Sequence, residues 1–360
     1  MLIVFIDALP ASQKFFIKGF RRHPLLPNLG YSVNLHNEIF NGKTPDEIGF
    51  FGEYRYNPNP NKFKILFFKL LQPLEHLPFR FSGLLKVAFR RIFKIKMGQI
   101  PFEMLPYFEL VGKYPFIGEC DSILSKFECF VTDSKKEGLG KRDIVAINEF
   151  LAHLNRPGFK KNIFISLCDL DGLGHKYGTA SLEYEKHLKF LEKKCNTLIK
   201  CYLDNHPKEP VIVLSDHGMS DVSNYIDASK TFKKIKSQFR AIVFYDSLYF
   251  HIFLNKKQII NQVAIETILR SELPITIFDK FDREKYGISE KKFGNIVGVL
   301  NNNYAFSPNL FGFLKLKAYH GYLPKSESNK GVFWHYNLKK AKLKDEISSL
   351  NAYDIINENL

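Results

Sequence analysis

Acidic residues are what this sequence is short of: 37 Asp and Glu stand against 52 Lys and Arg, a formal charge of +15 over 360 residues. Such an excess draws anionic partners, whether nucleic acid, an acidic membrane surface or a phosphorylated small molecule. No helix-turn-helix pattern, RNP-like run or zinc finger accompanies the charge, so nucleic-acid binding is not indicated. Cysteine is scarce too. Cys120, Cys129, Cys168, Cys195 and Cys201 are odd in number and form no CxxC pair, which argues against a disulfide framework and a zinc ribbon and fits a reducing compartment. Long apolar runs are missing, because Lys, Arg or Pro interrupts each one before the roughly 18 residues of a membrane span. The opening Leu2-Ile3-Val4-Phe5-Ile6-Asp7 lacks the basic lead and cleavage site of a secretory signal and reads as a strand. The expected location is cytoplasmic, with peripheral contact at the inner membrane face as the variant the charge allows.

What is present is a 45% hydrophobic chain long enough for a sizeable α/β core. Three short apolar runs, Leu2 to Asp7, Ile163 to Asp169 and Val211 to Asp216, each end in an acidic residue. Their length and polar bounds mark buried strands of a largely parallel sheet, and such sheets bind ligands at the carboxyl ends of their strands. Arg142 to Leu154 and Ser181 to Leu203 have helical spacing and supply crossovers. The stretch 56–101 differs in kind: it mixes Phe, Leu and Ile with Lys and Arg, and from Lys62 to Lys96 Glu75 is its only acid. It reads as an amphipathic helical insertion broken at Pro73 and Pro78, suited to capping a site or lying on an anionic membrane.

The chemistry-bearing residues fall at the strand ends. Asp171-Gly172-Leu173-Gly174-His175 sets a carboxylate and an imidazole four residues apart, in what reads as a turn made by two glycines. Asp216-His217-Gly218-Met219 follows another strand, Asp7 ends the first, and His320-Gly321 lies far downstream. Three carboxylates and three imidazoles form a mixed N/O set suited to zinc, with manganese tolerating the same ligands. Ser32, within Gly30-Tyr31-Ser32-Val33-Asn34, is the candidate nucleophile, since metal coordination can activate a serine hydroxyl and a helix start would offer N–H groups to phosphate. His23, His76, His153, His187, His206, His251 and His335 have no motif around them.

In this order the motifs resemble the alkaline phosphatase superfamily, nearest its type I phosphodiesterase/nucleotide pyrophosphatase branch. The resemblance implies an α/β three-layer sandwich with a central, mostly parallel sheet, a catalytic domain over 1–333 carrying the 56–101 insertion, and a separate C-terminal segment 334–360. It implies two divalent metal ions, one held by Asp171, His175 and His320 and the other by Asp7, Asp216 and His217, with Ser32 reaching the second. Asp169 becomes a supporting partner behind the ligands, and Asn34 and His36 candidates for substrate contact. Glu53 stands where the branch usually carries an Asn beside phosphate, and Ile48-Gly49 where it often shows His-Gly. The implied activity is hydrolysis of a phosphodiester through a phosphoserine intermediate, on a small substrate that the Phe-rich insertion leans toward lipid-linked. Phosphomonoesterase and headgroup transferase are alternatives within the superfamily, and a degenerate membrane-binding protein is the alternative outside enzymology.

Overall fold

The three apolar runs that end in acid are strands, and they lie side by side. The computed structural model describes residues 1–52, 54–57, 59–76, 102–110, 122–132, 137–154, 156, 161–310, 312, 314–339 and 343–360. Its chain forms two units: Met1–Thr44, Tyr114–Val222 and Leu316–Leu360 make the first, Pro45–Lys113 and Ser223–Lys315 the second.

The first unit is built on seven strands: β1 Leu2–Ile6, β2 Arg21–Leu26, β3 Glu128–Phe130, β4 Ile163–Leu167, β5 Val211–Leu214, β6 Gly331–Tyr336 and β7 Ile347–Ser348. Their order across the sheet is β7-β2-β6-β5-β1-β4-β3. Only β6 runs against the others, pairing antiparallel with both β5 and β2, so the sheet is mostly parallel as expected. Side chains of a strand alternate between faces. Leu2, Val4 and Ile6 therefore meet one apolar layer, while Ile3 and Phe5 meet the other.

The helices of this unit are α1 Ser32–Asn41, α2 Arg142–Leu154, α3 Asp169–Tyr177, α4 Leu182–Asn205 and α5 Ser349–Asn359. Ala146, Ile147 and Phe150 of α2, Leu170 and Leu173 of α3 and Tyr184 to Tyr202 of α4 close over the first face. Ile39 and Phe40 of α1 with Ala352, Ile355 and Ile356 of α5 close over the second. Each large apolar side chain so buried contributes about 1.5–3 kcal/mol. The result is the three-layer α/β sandwich that the strand pattern called for.

Two boundaries differ from expectation. The segment 334–360 is no appendage: the break expected after residue 333 falls inside β6, and β7 and α5 complete the sheet edge and the second helical layer. The second unit is also larger than an insertion of 56–101. It contains an antiparallel sheet of Ile242–Tyr245, Tyr249–Phe253, Ile296–Leu300 and Ile275–Ile277 in that spatial order, on which helices Ser229–Phe239 and Gln262–Glu272 pack through Phe232, Ile235, Ile265 and Leu269. Within 56–101, Lys62–Leu71 is a helix that gives way to a 3-10 turn, Gln72–His76, at Pro73. Residues 77–101, Pro78 among them, lie outside the described residues.

One polar contact ties the helix that begins with Ser32 to α5 within the same layer. Glu38 of α1 is fully buried, accepts from Asn28 Nδ2 at 2.6 Å, and accepts from the Ser349 hydroxyl at the start of α5. Burial raises its carboxyl from 4.5 to about 7, even though the Ser349 and Asn28 hydrogen bonds pull the other way. A carboxyl raised by folding stabilises the fold below its unfolded value and loses that stabilisation as pH climbs through the folded one. Glu38→Gln is therefore expected to gain on the wild type by up to about 3 kcal/mol between pH 4.5 and pH 8. Urea melts of both proteins at the two pH values measure this, and a difference constant across the range would remove Glu38 as a titrating group.

Candidate active site

Adjacent parallel strands β4, β1 and β5 deliver their carboxyl ends to one edge of the sheet. Asp7 follows β1, and its N–H bonds the Leu167 carbonyl of β4 at 2.9 Å. Asp216 and His217 follow β5. Ser215 stitches this edge together: its hydroxyl accepts from Leu9 N–H at 2.8 Å and donates to the His217 carbonyl at 2.8 Å. Asp171 and His175 come from α3, which starts directly after Cys168. Cys168, expected inside the strand, occupies that junction.

The motif Asp171 to His175 is a helical turn and not the glycine turn expected. On a helix, positions four apart stand on one face, so both side chains point the same way without any loop. The glycines serve packing. A Cβ on Gly174 would lie 2.2 Å from Met219 Sδ and 3.3 Å from the Tyr184 ring, so the helix can approach its neighbours only without that atom. His320 arrives behind Ala318–Tyr319, which pairs antiparallel with Ser220–Asp221. Gly321 has φ +94°, and a Cβ there would stand 2.9 Å from the Gly30 carbonyl. The His320 loop is thus pressed against the residues that precede Ser32.

These elements bring all seven expected groups together. Ser32, the first residue of α1, is buried with its Oγ 2.9 Å from His217 Nε2. The imidazoles of His217 and His320 stack with centroids 3.7 Å apart. Ligand atoms of Asp7, Asp216 and His217 lie within 4.8 Å of one another, as do those of Asp171, His217 and His320. His175 Nε2 is 3.2 Å from Asp171 Oδ1, and His320 Nε2 is 3.6 Å from the same oxygen.

The hydrogen bonds around the imidazoles decide which nitrogen faces inward. His175 Nδ1 contacts the Ala318 carbonyl at 2.8 Å and His217 Nδ1 the Gly218 carbonyl at 2.8 Å. A carbonyl only accepts, so both Nδ1 atoms carry the proton and a neutral ring turns its Nε2 lone pair to the carboxylates. Burial pulls the His175 imidazole down, but the Asp171 carboxylate beside it carries it above its ordinary value. Asp7 Oδ1 is buried and accepts no hydrogen bond among the described residues. Burial, then the nearby Asp216 and Asp171 carboxylates, hold the Asp7 carboxyl well above the usual range. Burial and His217 keep His320 well below the ordinary imidazole value. Burial would raise Asp171 and Asp216 as well, but His175 and His320 beside the first and His217 and His36 beside the second keep both below the carboxylate norm. Inward-facing acceptors of this kind require protons or cations between them, and a mixed N/O set suits divalent ions such as zinc or manganese.

Three secondary expectations change. Asn34 does not face a substrate: its Oδ1 accepts the Tyr31 N–H at 3.1 Å and its amide donates to the Leu29 carbonyl, so both ends serve the start of α1. His36 lies behind Asp216, with Nε2 3.0 Å from its Oδ2 and its ring edge-on to Phe5. Asp169 turns to Arg142 Nε, at 2.6 Å, and to the Asp143 N–H at 3.1 Å. Glu53 lies outside the described residues.

Asp169 belongs to a cluster with no local sequence signal. Asp143, at the start of α2, accepts the N–H groups of Cys168 and Asp169 at 2.7 and 3.1 Å, and His187 Nε2 of α4 stands 2.7 Å from it. Two helix starts therefore exchange carboxylates, and an arginine and a histidine clamp the pair. Asp143, Asp169 and His187 also group as a metal-like triad, yet every carboxylate oxygen in it has a donor. Its place is under the first turn of α3, two residues from Asp171.

The sequence matches the family model "type I phosphodiesterase / nucleotide pyrophosphatase" over residues 99–268. Over that stretch, a little under half of the chain, the sequence is similar to that family. Among curated proteins, none matches by sequence. Solved structures with the same fold include murine ectonucleotide pyrophosphatase/phosphodiesterase 5 in an inactive form with AMP, at 14% identity, 99% of this chain, 94% of that one and TM-score 0.61. The human counterpart agrees equally well, with 14% identity, the same coverage and TM-score 0.61.

The clamp beneath α3 sets a stability expectation. Arg142→Ala leaves the buried Asp169 carboxylate without its cation and is expected to cost about 3–5 kcal/mol. Chemical denaturation reads it, and a loss below about 1 kcal/mol would mean the pair behaves like a surface contact.

Proposed function

We propose that the chain is a metal-dependent phosphodiesterase that works through phosphorylation of Ser32. The observation that carries this reading is the position of Ser32 Oγ, 2.9 Å from His217 Nε2, among inward-facing carboxylates and imidazoles. Asp7, Asp216 and His217 would hold one divalent ion and Asp171, His175 and His320 a second, zinc by preference. Bound there, the ions would lower the pKa of the serine hydroxyl and offset charge on the phosphoryl oxygens.

The chain's own groups account for the rest. His217, its Nδ1–H committed to a carbonyl, keeps its Nε2 beside the Ser32 hydroxyl, so an ion held through that nitrogen would lie within reach of the serine oxygen. The N–H groups of Asn34 and Leu35 bond the Tyr31 carbonyl, so it is the N–H groups of Ser32 and Val33, at the very start of α1, that would face the phosphate end of a substrate. Ser32 Oγ forms a bond to phosphorus as the ester oxygen of the leaving alcohol departs. Water then attacks the phosphoserine, breaking the Oγ–P bond and releasing a phosphomonoester. The AMP held by the murine structure supports a nucleotide-type ester as the substrate class, since a nucleoside monophosphate is what hydrolysis of such a diester or pyrophosphate leaves.

The test is turnover of bis-p-nitrophenyl phosphate and p-nitrophenyl phosphate by chelator-stripped protein with Zn²⁺ or Mn²⁺ restored. Activity returning with metal, a preference for the diester, and a fall of at least about a thousandfold in Ser32→Ala are expected. Turnover indifferent to Ser32→Ala and to metal would sink the mechanism.

Metal should also act on the fold itself. Cations that relieve the clustered carboxylates raise the melting temperature of the wild type, because a ligand that binds only the native state stabilises it. In Asp216→Ala that rise with Zn²⁺ should shrink markedly, and an undiminished shift would place the binding elsewhere.

A further inference from the structure

The helix Lys62–Leu71 of the second unit has an outward face that its own packing does not explain. Phe68 is its buried residue, resting with Phe102, Met104 and Leu105 in an aromatic cluster. Ile65 is partly covered beside it. Phe63 is 83% exposed, Leu66 59%, Phe67 41% and Leu70 70%. At about 100° per residue these four positions, spaced i, i+3, i+4 and i+7, fall within an arc of about 100° on the side opposite Phe68 and Ile65. Lys62 and Lys69 flank the arc on one edge and Lys64 on the other, all exposed. An amphipathic surface helix ordinarily turns its apolar stripe inward and its lysines outward. This one buries a narrow strip and presents a second, wider apolar stripe to solvent between two basic margins.

From this arrangement we propose that helix Lys62–Leu71 docks the protein on an anionic lipid bilayer. Phe63, Leu66 and Leu70 enter the boundary between headgroups and acyl chains, and Lys62, Lys64 and Lys69 meet the lipid phosphates. The basic margins select a lipid surface over an apolar protein groove, since each lysine near an anionic membrane strengthens partitioning roughly fivefold. The lysine stems can lie along the apolar stripe while their ammonium groups reach the headgroup layer. The formal charge of +15 adds long-range attraction in the same direction. Among the described residues no helix is long and apolar enough to cross a membrane, so the contact is peripheral. Asn61 fixes the start of the helix by accepting the Phe63 N–H at 2.8 Å, which keeps the stripe formed before any lipid is met. The proposal does not depend on the metal site.

The experiment is co-sedimentation of the full chain with vesicles of phosphatidylcholine alone and of phosphatidylcholine mixed with phosphatidylglycerol. The variants are Leu66→Gln/Leu70→Gln and, as a control elsewhere on the same unit, Ile260→Gln, which replaces a side chain 88% exposed. All these positions are exposed, so melting temperatures should stay at the wild-type value and report intact folding. The expected result is binding to the mixed vesicles only, weakened by salt, reduced at least tenfold in the double variant and unchanged in Ile260→Gln. The proposal is overturned by wild-type protein that stays in the supernatant with both vesicle types. Equal binding to neutral and anionic vesicles, or equal loss in the control, also overturns it. So does a dimer in sedimentation velocity that the double variant abolishes, because a second copy would then be what covers the stripe.

Discussion

Three carboxylates set close together in a buried pocket repel one another, and the architecture around them is arranged to tolerate that repulsion. Asp7, Asp171 and Asp216 stand at the ends of three neighbouring structural elements, and each senses the charge of the others or of the imidazoles between them. A buried carboxylate without a partner loses several kcal/mol of solvation. The sheet brings the three together because parallel strands end on the same side. Their company costs stability in the bare chain, and a site destabilised in this way is the kind that a cation binds with favourable free energy.

What keeps the pocket from relaxing is a ring of contacts that do not take part in chemistry. Ser215 ties the ends of β1 and β5, the Asp143 and Asp169 carboxylates lock the starts of α2 and α3 to each other, and His36 backs Asp216 from α1. Ser215 and the two carboxylates do so through backbone N–H groups, hydrogen bonds that stay strong when water is absent. Gly321 allows the His320 loop to lie against the Gly30 carbonyl. The groups facing inward are therefore held by groups facing outward, and the strain of the first set is met by the satisfied hydrogen bonds of the second.

This division explains what could be read from the sequence. Strands β1, β4 and β5 were legible because short apolar runs of β-branched and large residues have few alternative uses, and their acidic ends fell where such sheets place ligands. The seven inward residues carried the pattern of the branch they resemble. The supporting groups did not: Asp143, Arg142 and His187 are joined only by tertiary structure, with separations that no local rule connects. Gly172 and Gly174 read as turn residues because glycine lowers helix propensity by about 1 kcal/mol, yet close packing, of the first against Leu139 and Arg142 and of the second against Met219 and Tyr184, outweighs that cost. Asn34 and His36 were close in sequence to Ser32, but the helix turns one into its own cap and the other toward Asp216. The place of β7 and α5 in the sandwich was hidden because a two-residue edge strand has almost no pattern to read.

Charge gives the last step. The chain is strongly basic, whereas its candidate site is lined with acids, so the positive field cannot originate where a phosphoester would react. On the proposed reading, two divalent ions against three carboxylates turn the pocket from net negative to net positive by a single charge, with the imidazoles neutral. The empty pocket would repel an anionic ester, and the filled one would attract it. On that reading the chain's excess of lysine and arginine would raise the local concentration of phosphorylated substrate without regard to metal, while only the loaded pocket would receive the ester. On the proposed reading, attraction to the protein and admission to the site would be controlled by separate charges, and metal occupancy would govern the second alone.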